Sequence, residues 1–324
     1  MVRGEEFEPH RLSPKPSIAI LIATYNGERF IKEQLDSLLS QTYQDFIIHV
    51  NDDNSSDATY SIVQDYAAKY PDKIFVSQND TNTGSAKLNF MQMMLKHKND
   101  YIMLCDQDDV WLPDKIEKSL NKIREMEKQY DASTPLLIHT DLTVADENLN
   151  TLYPSFFKLE DINTENKSLN KIVARCILTG CTAIYNSALA DLIRTAPEFF
   201  VMHDWWLVLA ASAFGKIETL HEPTILYRQH SDNEIGVINV KTLSHIIHKL
   251  MHFHEAKKVL KDTYKQAECF LNTFYDILSP DQIDFLVQFC DIPNHNKVIR
   301  WIRICRLGVL KKGILRKISS FIFI

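Results

Sequence analysis

Between residues 17 and 109, four short β-rich runs alternate with helix-patterned segments, and no other property of the chain constrains its fold as much. The first run, SIAILIATYN (17 to 26), is apolar almost without a break, as a strand buried on both faces requires. GERFIKEQLDSLLSQ follows, with Phe30, Ile31, Leu35, Leu38 and Leu39 at helical spacing. DFIIHVNDD reads as a second strand, and SSDATYSIVQDYAAKY as a helix capped by Ser55, Ser56 or Asp57. KIFVSQN, SAKLNFMQMMLKHK and DYIMLCDQDD then supply strand, helix and strand. This order predicts an α/β fold built on a mostly parallel, Rossmann-like sheet flanked by helices.

In such sheets ligands bind beyond the carboxyl ends of the strands. Thr24, Tyr25, Asn26, Asp52, Asp53, Asp106, Asp108 and Asp109 all fall there. Carboxylates so crowded repel one another unless solvent screens them or a cation neutralises them. Neither a GxGxxG turn nor a P-loop follows the first strand, so the usual phosphate cradles are missing. A divalent cation held by the acids is the expected substitute.

The second half is less regular. PLLIHTDLTVAD and LTGCTAIYN read as strands, HDWWLVLAASAFG as a helix whose start carries His203 and Asp204, and KIETLHEPTILYRQH as strands leading to His230. The expected division is a flexible leader (1–16), a main domain (17–238), a helical appendage (239–294) and a basic amphipathic tail (295–324). The tail from Lys297 carries eight bases and no acid. That is +8 in a chain of net charge −6, which leaves −14 for everything before it. Its bases are interleaved with Val298, Ile299, Trp301, Ile302, Ile304 and further apolar residues, which suits an anionic membrane surface better than a packed helix. Nucleic acid is not expected, because the tail has no binding motif and the ligand crevice is acidic. Six scattered cysteines without a CxxC pair suit a reducing cytoplasm, and no apolar run reaches spanning length. The expected location is therefore cytoplasmic, peripheral on the inner face of the cell membrane.

Seven stretches between residues 17 and 235 are, in order, similar to motifs of the family-two inverting nucleotide-sugar glycosyltransferases with the GT-A fold. They are IATYNGERFIKEQLDSLLSQTYQDF, VNDDNSSDAT, NTGSAKLNF, DQDDVWLPDKI, LTGCTAIYN, HDWWL and YRQHSDN. Within that family the pattern most resembles bacterial rhamnosyltransferases that build surface polysaccharides. The resemblance implies that Tyr25 stacks on or near the base and that Asp53 bonds the pyrimidine or its ribose, with Thr24, Asn26, Asp52 and Lys87 beside them. It implies that Asp106 and Asp108 form a DxD motif. In it Asp108 holds Mg²⁺ or Mn²⁺, Asp106 reaches the ribose or the metal, and His230 lies near the metal or diphosphate. Asp204 would be the catalytic base, with Gly180, Trp205 and Trp206 on the acceptor side. The donor implied is dTDP-β-L-rhamnose and the acceptor a saccharide, lipid-linked if the tail docks on a membrane. The oligomeric state is not implied.

Plainer roles compete for several of these residues. Asp106 and Asp108 could end a strand in a solvated turn, Asp52 could only cap, and Asp109 is best read as capping the turn before WLP. Asp204 favours the dipole of its helix start whether or not it is a base. Trp205 and Trp206 suit core and acceptor platform equally. Cys105 reads as strand core, and His245, His248 and His252 as one packed or solvated helix face. DQDDV also fits the nucleophile motif of haloacid-dehalogenase-like phosphatases, although it follows the fourth strand rather than the first. A non-catalytic nucleotide-sugar-binding module is the other alternative. A nucleotidyltransferase would need a glycine-rich basic loop where ATYNGERF stands.

Overall fold

The computed structural model describes residues 17–230 and 253–310. Expectations placed on the leader, on residues 231–252 with His245, His248 and His252, and on residues 311–324 lie outside them. The alternating segments form β1 (Ile18–Thr24), α1 (Ile31–Leu39), β2 (Ile47–Asp52), α2 (Thr59–Lys69), β3 (Ile74–Gln78), α3 (Ala86–Lys96) and β4 (Tyr101–Cys105). The two-residue β5 (Val110–Trp111) and α4 (Lys115–Glu127) follow. Next come β6 (Leu136–Ala145), β7 (Thr151–Tyr153), α5 (Phe156–Leu159), α6 (Leu169–Ile172), β8 (Ala183–Asn186), α7 (Ser187–Leu192), α8 (His203–Phe214) and β9 (Lys216–Arg228). Helices α9 (Phe253–Phe274), α10 (Pro280–Cys290) and α11 (Lys297–Arg306) complete the described chain.

One sheet runs β3-β2-β1-β4-β8-β6-β9-β5, with β7 attached to β6. The first four strands are mutually parallel, as their helical crossovers require. From β8 onward the pairing is mixed, and β6 lies parallel to β9 over its whole length. Strand β1 shows how the sheet is held. Ile18, Ile20 and Ile22 enter the core formed with α1 and α4, while Ala19, Leu21 and Ala23 enter the core formed with α3 and α8. Burying each isoleucine fully contributes about 2 kcal/mol, and all three are essentially sealed from solvent. The N-cap of α2 is Ala58 rather than Ser55, Ser56 or Asp57; Asp57 stands just before it and its Oδ1 accepts from Thr59 N at 2.9 Å.

Helices α9 and α10 share the α3/α8 core with the sheet through Ala267, Phe270, Phe274, Leu286 and Phe289. Trp206 meets the rings of Phe270 and Phe274 at 5.4 and 5.9 Å. The tail helix α11 joins the same core through Ile304, and Arg303 bonds Asp291 Oδ2 at 2.8 Å. Its other face leaves Val298 69% and Ile302 59% exposed. Among the described residues, no helix is long and apolar enough to cross a membrane. All six cysteines are unpaired.

Gly215 sets the register of the β6/β9 pair. A Cβ there would lie 1.9 Å from the carbonyl oxygen of Pro135, the residue preceding β6, which also accepts from Lys216 N. The nearest atom is backbone and the Pro135 Cβ at 2.8 Å belongs to a fixed ring, so Gly215→Ala is expected to cost about 3 kcal/mol. Urea denaturation measures this, and an unchanged midpoint would contradict the contact.

Candidate active site

Because β1 lies between β2 and β4 in parallel register, their carboxyl ends meet. Asp53 N donates to Thr24 O at 2.8 Å across that junction. Asp52 is fully buried: it accepts from Thr24 Oγ1 and Ser55 Oγ on Oδ1 and from Ser55 N and Gln78 Nε2 on Oδ2. With its lone pairs so committed, Asp52 holds the turn together with Thr24. Asn26 has φ 47°, a conformation asparagine tolerates, and Ser55 and Ser56 grip it. Asp53 is also buried and accepts from Asn79 Nδ2 (2.6 Å), Thr83 N (2.9 Å) and Thr83 Oγ1 (2.7 Å).

Tyr25 presents its ring to solvent, 49% exposed, because its backbone is held from below. Gln107, the middle residue of the DxD, accepts from Tyr25 N at 2.9 Å and donates to Tyr25 O at 3.0 Å. Sequence reading passed over Gln107, and only its place between two acids marks it.

Asp108 and His230, 122 residues apart, meet directly, with His230 Nε2 2.9 Å from Asp108 Oδ2. Asp106 lies alongside Asp109 and Cys181, their ligand atoms within 4.8 Å of one another. Asp109 does more than cap a turn. It is fully buried, accepts from Arg228 N at 3.1 Å, and leaves Oδ2 without a partner. Burial, then Asp108 and Asp106, push its carboxyl well above the usual range. Lys115, equally buried, lies 4.5 Å from the Trp111 ring, and burial lowers its amine to about 8.

By donor type Asp106, Asp108 and His230 could hold a hard cation, and of the three the structure pairs Asp108 with His230. The ligand atoms drawn close together are those of Asp106, Asp109 and Cys181, and Asp109, its carboxyl pushed up by burial, brings little charge to them. Cys181 is the poorest member of the cluster: burial holds its thiol protonated, and a thiol does not suit Mg²⁺ or Mn²⁺.

Asp204 opens α8, its Oδ1 accepting from Trp205 N at 2.7 Å. Gly180 lies against it, since a Cβ on Gly180 would be 3.6 Å from Asp204 Cβ and 2.9 Å from His203 Nε2. The glycine therefore leaves the room that the helix start occupies. Lys87 does not point at the strand ends; its Nζ donates to the carbonyls of Phe200 (3.1 Å) and Val201 (3.2 Å), on the segment leading to Asp204. Gln266 of α9 accepts from Val201 N at 2.7 Å from the other side. Trp205 and Trp206 are core residues: Trp205 Nε1 donates to Ile172 O at 2.7 Å, and Trp206 is sealed from solvent.

His203 stacks on Phe90 at 4.4 Å, with both ring nitrogens unpartnered, and burial lowers it to about 3. His139, buried beside Thr219, is also lowered to about 3 by burial. Below the ordinary histidine value of 6.5 the unfolded chain binds protons that the folded chain refuses. Their contribution is thus complete above pH 6.5 and falls away as pH drops toward about 3. At about 1.4 kcal/mol per unit each, the two rings should lower unfolding free energy by about 4 kcal/mol between pH 7 and pH 5, while the raised Asp109 carboxyl works in the opposite direction. Denaturant titration of Asp109→Asn, which removes that opposing group, checks this at the two pH values, and a flat profile in that variant would contradict neutral burial of these rings.

Acids gathered at the strand ends, with a further carboxylate at a helix start against a glycine turn, form the kind of crevice in which α/β enzymes bind their ligands. Residues 19–192 match the family described as Glycosyl transferase family 2. The chain belongs to that family and is a glycosyltransferase. It is 28% identical over 226 residues to the dTDP-rhamnosyl transferase RfbG of Shigella flexneri, covering 66% of this chain and 73% of that one. Its fold matches the crystal structure of S. aureus TarS 1–349 in complex with UDP-GlcNAc, with TM-score 0.58, 19% identity, and 94% and 80% of the two chains covered. It also resembles the mannosyltransferase PcManGT from Pyrobaculum calidifontis in complex with GDP-Man and Mn²⁺, with TM-score 0.50, 12% identity, and 98% and 87% covered. The fold is thus the expected GT-A arrangement. The phosphatase alternative is left without support.

Proposed function

We propose that the chain is a cation-dependent inverting transferase that moves L-rhamnose from dTDP-β-L-rhamnose to a saccharide acceptor. The observation that supports the reaction class is the pairing of Asp108 with His230 at the sheet's carboxyl edge, two residues after Asp106. Asp106, Asp108 and His230 would hold Mg²⁺ or Mn²⁺, which neutralises charge on the departing diphosphate when bound. Asp204 takes the proton of an acceptor hydroxyl as its oxygen attacks the anomeric carbon. Attack opposite the leaving group inverts that carbon in one displacement, so a β-linked donor gives an α-linked product. The exposed Tyr25 ring supports base stacking. Asp53 reaches the base or ribose only when Asn79 and Thr83 release its oxygens.

Rhamnose is supported by the similarity to RfbG. A lipid-linked acceptor of cell-surface polysaccharide synthesis, met at the inner face of the membrane, is supported by α11. That helix exposes Val298 and Ile302 beside Lys297 and Arg306. The test is release of nucleoside diphosphate from dTDP-rhamnose, UDP-GlcNAc and GDP-mannose with Mn²⁺ present. The expected result is that dTDP-rhamnose is turned over fastest. Turnover of another donor alone would overturn rhamnose, and binding without turnover would favour the non-catalytic reading.

A further inference from the structure

The end of β9 carries a buried cation that touches four separate parts of the site. Arg228 donates from Nε to the Asp108 carbonyl at 2.8 Å, and its backbone N–H goes to Asp109 Oδ1 at 3.1 Å. Its two terminal nitrogens diverge. One bonds the carbonyl of Glu147 in the turn after β6, and the other pairs with the Glu33 carboxylate on α1. The guanidinium lies 4.6 Å from the centroid of Phe30, the N-cap residue of α1, and the His230 ring meets the same phenyl at 4.8 Å. Only 3% of the Arg228 side chain is exposed.

Asp108 and His230 therefore do not meet by chance of two mobile side chains. Strand β5 pairs antiparallel with β9, Val110 opposite Leu226, so the residues just after the DxD run beside those just before His230. Arg228 closes that ladder at the site's edge, fixing the Asp108 backbone while its own chain delivers His230 two residues later. We propose that Arg228 is the positioning residue of the cation site. It sets the Asp108–His230 separation from beneath, with Phe30 and Glu33 holding the guanidinium in turn. The inference rests on the reading of Asp106, Asp108 and His230 as cation holders. Only a planar fork can serve three acceptors on three elements at once; lysine offers its donors from a single atom.

The test is Mn²⁺ binding to the full chain, with the metal alone as probe, followed by water-proton relaxation or the free-Mn²⁺ electron paramagnetic resonance signal. Wild type is compared with Arg228→Lys, Glu33→Gln and Asp108→Ala, and thermal unfolding is recorded in chelator. Arg228→Lys is expected to weaken Mn²⁺ 10- to 100-fold, as loss of a group that orients a ligand does. Glu33→Gln should weaken it several-fold in the same direction with little change in Tm. If Asp108→Ala abolishes binding while a folded Arg228→Lys binds as wild type does, the positioning role is overturned and the cation site stands. Should Arg228→Lys fail to fold, an unchanged Mn²⁺ affinity in Glu33→Gln overturns it. If Asp108→Ala binds Mn²⁺ like wild type, the cation site itself is misplaced and the inference falls with it.

Discussion

Asp204→Asn is expected to lower kcat by about 10³-fold while leaving the KM for the donor within a factor of two. Asparagine keeps an oxygen that can accept from Trp205 N, so the start of α8 is preserved. Loss of the carboxylate from that first turn costs about 0.5 kcal/mol of stability, too little to unfold the chain. What the variant loses is the capacity to take a proton, and that loss falls on the chemical step alone. Steady-state kinetics at saturating Mn²⁺ separates the two parameters. A variant retaining a tenth or more of wild-type kcat would make Asp204 a cap and nothing else.

Asp108→Ala should be as severe by a different route. Removing the carboxylate breaks the bond to His230 and takes away one of the two partly exposed acids at the strand end. A cation acting on the leaving group contributes several kcal/mol to the transition state, so a loss of about 10³-fold is expected. The effect should be non-additive: a chelator that silences wild type should leave the residual activity of Asp108→Ala unchanged. Activity that still responds to Mn²⁺ in Asp108→Ala would move the cation to the deeper cluster of Asp106 and Asp109.

The first four strands and their helices were legible because β1 and β4 are buried on both faces and read as apolar runs. Strand β5 was not legible. Two residues carry no period, and Val110–Trp111 are extended only because β9 pairs with them. The parallel alignment of β6 with β9 was hidden for the same reason, since partners about 80 residues apart leave no local pattern. At the site, Asp106 and Asp108 are legible from their place at a strand end, whereas Asp204 and His230 are marked by the family resemblance. Asp109 reads in the sequence as a cap of the turn before WLP, since nothing near it announces the bond to Arg228 N. Arg228 and Gln107 were missed because each acts on backbone groups far along the chain. Lys87 looked like an anion-binding cation, yet its amine is spent on two carbonyls of the segment before Asp204. The tryptophans show the reverse bias. An aromatic beside a catalytic acid invites a stacking role, whereas the α8 face carrying Trp206 is turned into the core by Phe270 and Phe274.

The most direct measurement is nucleoside diphosphate release from dTDP-rhamnose by wild type under three conditions: with Mn²⁺, with a chelator, and with Mn²⁺ plus a bacterial membrane lipid extract. Slow release with Mn²⁺, none with the chelator, and faster release with radiolabelled sugar entering the lipid fraction are the results expected of a cation-dependent transferase. Turnover that ignores the chelator, or release of inorganic phosphate in place of the diphosphate, would contradict it.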